Sequence, residues 1–203
     1  MKRHQLKACV RLCRRLGIAI ESVDVAPPLN TADVSSYVDT PSAYACNVVS
    51  KKIIVPGGKD WRKSALTIDD ATPEFGFEAW LHECIHVLMQ PPFATISEVP
   101  EDWLIMQVEL PYAIAIGDAE AVRAVKAWQD VTMRVTVDAG HDECGEDWRR
   151  RKPWWKEGYR LARKLGVLNK RNEPTWRWPD WDALTLGESE SWRDRVVPDE
   201  GAE

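Results

Sequence analysis

The run AWLHECIHVLM sets His82 and His86 four residues apart, with Glu83 directly after the first of them. On an α-helix that spacing stacks two imidazoles on one face about a turn apart, so both can address one cation while the neighbouring carboxylate reaches its open side. Such donors suit zinc, which binds nitrogen and oxygen tetrahedrally and, in a catalytic site, keeps its fourth position for water. Zinc lowers the pKa of that water from about 15.7 toward roughly 7, and a carboxylate placed like Glu83 removes its proton as it attacks a polarised carbonyl. The pattern uses half of the four histidines, and Trp80, Leu81, Ile85, Val87 and Leu88 around it are apolar. These would bury the rest of the helix and dry the site. The bland alternative is two surface histidines flanking a solvated glutamate.

Two imidazoles make an incomplete zinc site, and a third ligand is expected from elsewhere. Glu109, in MQVELPYA, is the first choice, because it follows His86 after 22 residues on a second helix able to pack against the first. Glu98 and Glu101 stand near the start of that helix, where the dipole already favours a carboxylate, and His141 in HDECGED is a remoter choice. Glu78, four residues before His82, is placed to accept a hydrogen bond from a ligand imidazole or to face solvent. Tyr112 is either a donor to a developing oxyanion or a core tyrosine.

These residues need a scaffold that holds helices against one another. LKACVRLCRRL spaces Leu6, Cys9, Leu12, Cys13 and Leu16 by threes and fours, which predicts an amphipathic helix stopped by Gly17. IAIESVDV reads as a strand, and AYACNVVSKKIIVP as two more, Tyr44 to Val49 and Lys52 to Val55, paired through a tight turn in a small antiparallel sheet. The HExxH helix is expected to start at Thr72, with Pro73 in its first position, and to end at Pro91 and Pro92. A further helix is expected from about Glu101, kinked or divided by Pro111. Another restarts after Gly117 and Asp118, and a last one lies in KPWWKEGYRLARKLGVL. The order, one helix, three strands, then helices, is an α+β pattern.

With 203 residues, 44% hydrophobic and 29% charged, the chain has the composition of one soluble globular domain with an appendage. Residues 1–147 are read as the domain and 148–203 as a tryptophan-rich helical extension. Seven of eleven tryptophans fall in that extension, which therefore either wraps the core to bury them or offers an aromatic docking surface. The amino terminus carries no apolar stretch of signal-peptide length and no 18-residue apolar run occurs, so a cytoplasmic protein without membrane contact is expected. Five cysteines without a CxxC pair are expected to stay reduced; Cys9 and Cys13, one turn apart, read as small buried residues. Residues 149–171 carry ten basic groups and one acid, whereas residues 16–148 are strongly acidic. A basic, aromatic segment can touch nucleic acid, but a pI near 5.5 disfavours general attraction to phosphate.

The basic first helix, the strand, the pair AYACNVVSKKIIVP, the HExxH helix and the glutamate-bearing helix after it resemble the ImmA/IrrE-type metallopeptidases, compact zincins of bacteria, phages and mobile elements. The resemblance covers about residues 1–116. It implies a zinc-dependent metalloendopeptidase of gluzincin type, with His82, His86 and Glu109 as metal ligands and Glu83 as base. The strand near Tyr44 to Val49 would line the cleft, and the substrate would be a protein such as a helix-turn-helix repressor. Members usually carry HExGH, where this chain has HECIH. The competing expectation is a non-catalytic, zinc-containing regulator that binds protein or nucleic acid through residues 148–171.

Overall fold

The computed structural model of the protein describes residues 1–24, 44–67, 76–89, 98–138 and 152–183. Helix α1 (Arg3–Leu16) buries Leu6, Cys9, Leu12, Cys13 and Leu16 on one face and leaves its arginines outside or at its edge. It ends at Gly17, whose φ of 67° lets its N–H return to the Arg14 carbonyl while the Ile18 N–H bonds the Cys13 carbonyl at 2.8 Å. That double closure satisfies two carbonyls of the last turn and needs a residue without a Cβ penalty.

Strands β1 (Ala19–Val23), β2 (Ala45–Asn47) and β3 (Lys52–Pro56) form one sheet in the order β1-β3-β2. The β2–β3 hairpin is antiparallel, as its turn predicts, with Cys46 opposite Ile53. The sheet as a whole is mixed rather than antiparallel, because β1 runs parallel to β3 with Ala19 opposite Lys52 and Val23 opposite Pro56. Parallel neighbours need a long connection, and β1 and β3 are separated by enough chain to supply it. Ile53 and Val55 face the core.

A seven-residue helix, α2 (Trp61–Thr67), follows β3 and has no counterpart in the sequence reading. It is too short for its periodicity to stand out, and among its described side chains it buries Trp61 and Ala65. Helix α3 (Phe77–Met89) carries the HExxH motif; the expected start at Thr72 and Pro73 and stop at Pro91 and Pro92 lie outside the described residues. Helix α4 (Glu98–Ile116) runs through Pro111 undivided. Pro111 lacks the N–H that would bond the Gln107 carbonyl, but it is buried, and α4 as a whole packs against α3, α5 and α6, which supports a helix that has lost one internal bond. Helix α5 (Ala119–Asp138) starts where Asp118 accepts the Ala121 N–H at 2.8 Å, and α6 (Lys152–Lys164) lies on α4. The architecture is mixed helix and strand, with helices predominating.

The core is centred on α3, which touches α1, α4, α5 and the sheet. Trp80 is fully buried between Tyr44, at a ring-centroid distance of 5.1 Å, and Trp61, at 5.8 Å. The segment after α6 folds back over the end of α1. The indole N–H of Trp178 donates to the Leu16 carbonyl at 2.9 Å, Arg15 lies 3.8 Å from the centre of the Trp176 ring, and Lys51 lies 4.1 Å from that of Trp178. Trp176, Trp178 and Trp181 are partly buried against the core, so these three rings take the wrapped arrangement, while the side chains of Trp154 and Trp155 lie outside the described residues. Trp148 and Trp192 lie outside the described residues, as do residues 148–151 of the basic segment. Among the described residues no helix is long and apolar enough to cross a membrane.

Candidate metal centre on helix α3

The helix places its side chains by a rotation of about 100° per residue. Ala79, Trp80, Leu81, Cys84, Ile85, Val87, Leu88 and Met89 are buried, and His82, Glu83 and His86 are the positions left partly accessible in the same turns. The apolar neighbours therefore fix which way the imidazoles point. Their rings stand at 86° to one another with centroids 4.4 Å apart, and the two Nε2 atoms face each other at 2.8 Å.

Behind them, Glu109 of α4 reaches the other nitrogen of His82, with Nδ1 and Oε1 2.6 Å apart. Glu109 is 1% exposed and the His82 side chain 14%. A buried carboxylate accepts, so the Nδ1 of His82 donates, and its Nε2 is left as a lone pair directed at His86. Burial and the neighbouring His86 push the pKa of His82 down, but the hydrogen bond and charge of Glu109, with Glu83 added, outweigh them and leave it above the ordinary histidine value. Without a cation, one Nε2 must carry a proton for the 2.8 Å contact to be attractive.

The fit to a metal is close for two donors. Tetrahedral zinc with Zn–N bonds of roughly 2.0–2.1 Å would hold two nitrogens about 3.3 Å apart. Opening the observed 2.8 Å by about half an ångström is a small side-chain rotation. The Glu109–His82 contact is the arrangement that commonly stiffens a ligand histidine and raises its basicity.

The expected residues fall into three groups. His82, His86 and Glu109 come together, but Glu109 sits on the nitrogen of His82 remote from His86, in the orienting place that the sequence reading offered to Glu78. Nothing in a separation of 27 residues indicates which ring nitrogen the carboxylate meets. Glu78 lies near Cys9 and Tyr44, where its charge raises both groups slightly beyond the larger effect of their burial. Tyr112 is fully buried, packs edge-on against Trp176 at 5.3 Å, and its hydroxyl has no hydrogen-bond partner among the described residues. Burial pushes its pKa up, so it stays a neutral phenol. Glu98 and Glu101 lie in the first turns of α4, but their side chains, like His141, lie outside the described residues. Among the described residues no three His, Cys, Asp or Glu side chains converge as a metal-ligating group. No protein-family model, curated protein or solved structure matches the chain.

Proposed function

We propose that the protein is a zinc-dependent metallopeptidase that hydrolyses peptide bonds in a protein target. The observation that carries the reading is the pair of Nε2 atoms of His82 and His86, 2.8 Å apart on the accessible side of a helix whose next side chain is Glu83. The ImmA/IrrE-type pattern of helix, strands and HExxH helix supports the same reading and suggests a regulatory protein, such as a repressor, as substrate.

A bound zinc ion would supply a polarised carbonyl and an acidified water. The chain's own groups do the rest. His82 and His86 would hold the ion through Nε2, and Glu109, by accepting the Nδ1–H of His82, keeps that ring in the right tautomer and orientation. The geometry favours Glu109 in this orienting role over the role of third ligand. Glu98, Glu101 and His141 stay as sources of a third donor. Glu83 takes a proton from the attacking water and returns it to the amine nitrogen as the peptide bond breaks.

The test is zinc stoichiometry together with cleavage of a dye-labelled, unfolded protein. Full-length protein should hold stoichiometric zinc, and Glu83→Gln should keep it while cleavage falls about 10²–10⁴-fold, the range for loss of a general base. His82→Ala and His86→Ala should lose the ion. Full zinc in either histidine variant, or undiminished cleavage by Glu83→Gln, overturns the reading.

A further inference from the structure

Three thiols that the metal centre does not use meet where α1 crosses α3. Cys9 and Cys13 lie one turn apart on the buried face of α1, and Cys84 lies on α3 about 200° around the helix from His82. All three are 1% exposed or less. The sulfurs of Cys13 and Cys84 are 3.6 Å apart, and the Trp80 indole N–H donates to Cys13 Sγ at 3.4 Å. A disulfide requires about 2.05 Å between sulfurs, so these two atoms need to approach by about 1.5 Å.

We propose that Cys13 and Cys84 form a redox-reactive pair, which a peroxide converts into a disulfide joining α1 to the helix that carries His82 and His86. Cys13 attacks the peroxide oxygen as a thiolate, giving a sulfenic acid and water once the departing hydroxide takes up a proton. The Cys84 sulfur then displaces the hydroxyl group of that sulfenic acid, which leaves as a second water. Two thiols and one hydrogen peroxide thus become one disulfide and two waters, with two electrons passing from sulfur to oxygen. Two contacts favour Cys13 as the first nucleophile. The contact with Cys84 Sγ, in which either sulfur can donate, outweighs burial and lowers its pKa, and the Trp80 indole N–H, which donates to Cys13 Sγ, adds to that lowering. A small oxidant suits so enclosed a site, and burial makes the reaction slow, because α1 has to open locally to admit it. The pair does not depend on a metal at the other face of α3, so the proposal stands or falls apart from the peptidase reading.

The experiment uses full-length protein incubated with hydrogen peroxide, alkylated with N-ethylmaleimide and mapped by mass spectrometry after proteolysis. The expected product is a Cys13–Cys84 cross-linked peptide with the loss of two hydrogens, released by dithiothreitol. Cys13→Ser and Cys84→Ser should each abolish it. Because a buried substitution can impair folding, the double variant Cys46→Ser/Cys144→Ser, which leaves the pair intact, should give the same cross-link with the same time course. Complete alkylation of Cys13 and Cys84 after peroxide treatment overturns the proposal, as does a cross-link that pairs Cys13 with Cys9 instead.

Discussion

The two sides of α3 are held by different forces. Toward α1, α2 and the hairpin, Trp80 and Cys84 are fully enclosed among Tyr44, Trp61 and Cys13, in contacts between rings and sulfurs that include the weak indole–sulfur and sulfur–sulfur hydrogen bonds. Toward α4, the same helix presents His82 to a carboxylate at 2.6 Å and His86 to a second imidazole. Dispersion and apolar burial tolerate no unfilled volume but need no particular proton; the polar side needs one proton in a definite place. The stiff side therefore sets the rotation of the helix, and the polar side uses that rotation to aim the Nε2 atoms of His82 and His86 at one another.

Substitutions can break or sharpen this contrast. The largest effect is expected on the apolar side. Trp80→Ala should cost about 3–5 kcal/mol of stability through lost burial and an unfilled cavity, read as a shift of the urea unfolding midpoint. A loss under about 1 kcal/mol would mean that Trp80 does not orient the helix. On the polar side, Glu109→Gln should leave the fold in place and weaken zinc about 10–100-fold, the usual consequence of losing an orienting carboxylate, measured by competition with a chelator. A complete loss of zinc would make Glu109 a ligand instead. The smallest effect lies off α3 altogether. Asp118→Ala removes the cap of α5 and its 2.6 Å contact with His4, and should cost about 1 kcal/mol.

Acid should act through the same cap. The Ala121 N–H, and after it His4, hold the Asp118 carboxyl at about 2, below its ordinary 3.8. A carboxylate depressed on folding contributes its full stability above the unfolded value and loses it as pH falls toward the folded one. The stability difference between wild type and Asp118→Ala should therefore be constant above about pH 5 and shrink between pH 3.8 and about 2.

Regular periodicity made the frame legible. Spacings of three and four specified α1, the hairpin carried its turn residues, and Gly117-Asp118 marked the junction of α4 and α5. His82, Glu83 and His86 were legible because their relation is internal to one helix. What depends on contact between elements was not. The parallel pairing of β1, the meeting of Cys13 with Cys84, and the choice of the far nitrogen of His82 by Glu109 are set by helix packing, which no local spacing encodes. Pro111 does not divide α4 for a related reason: a breaker in an isolated helix is tolerated once that helix packs against three others.

The bond from the Trp178 indole to the Leu16 carbonyl links residues 162 positions apart. On a ribosome the first helix emerges long before its partner has been synthesised, so that carbonyl stays hydrated and the Arg15 guanidinium lies without its Trp176 ring until residues 176–178 leave the exit tunnel. The tertiary lock on α1 thus closes only after α6 has been made, and a chain interrupted just after α6 would leave α1 without it.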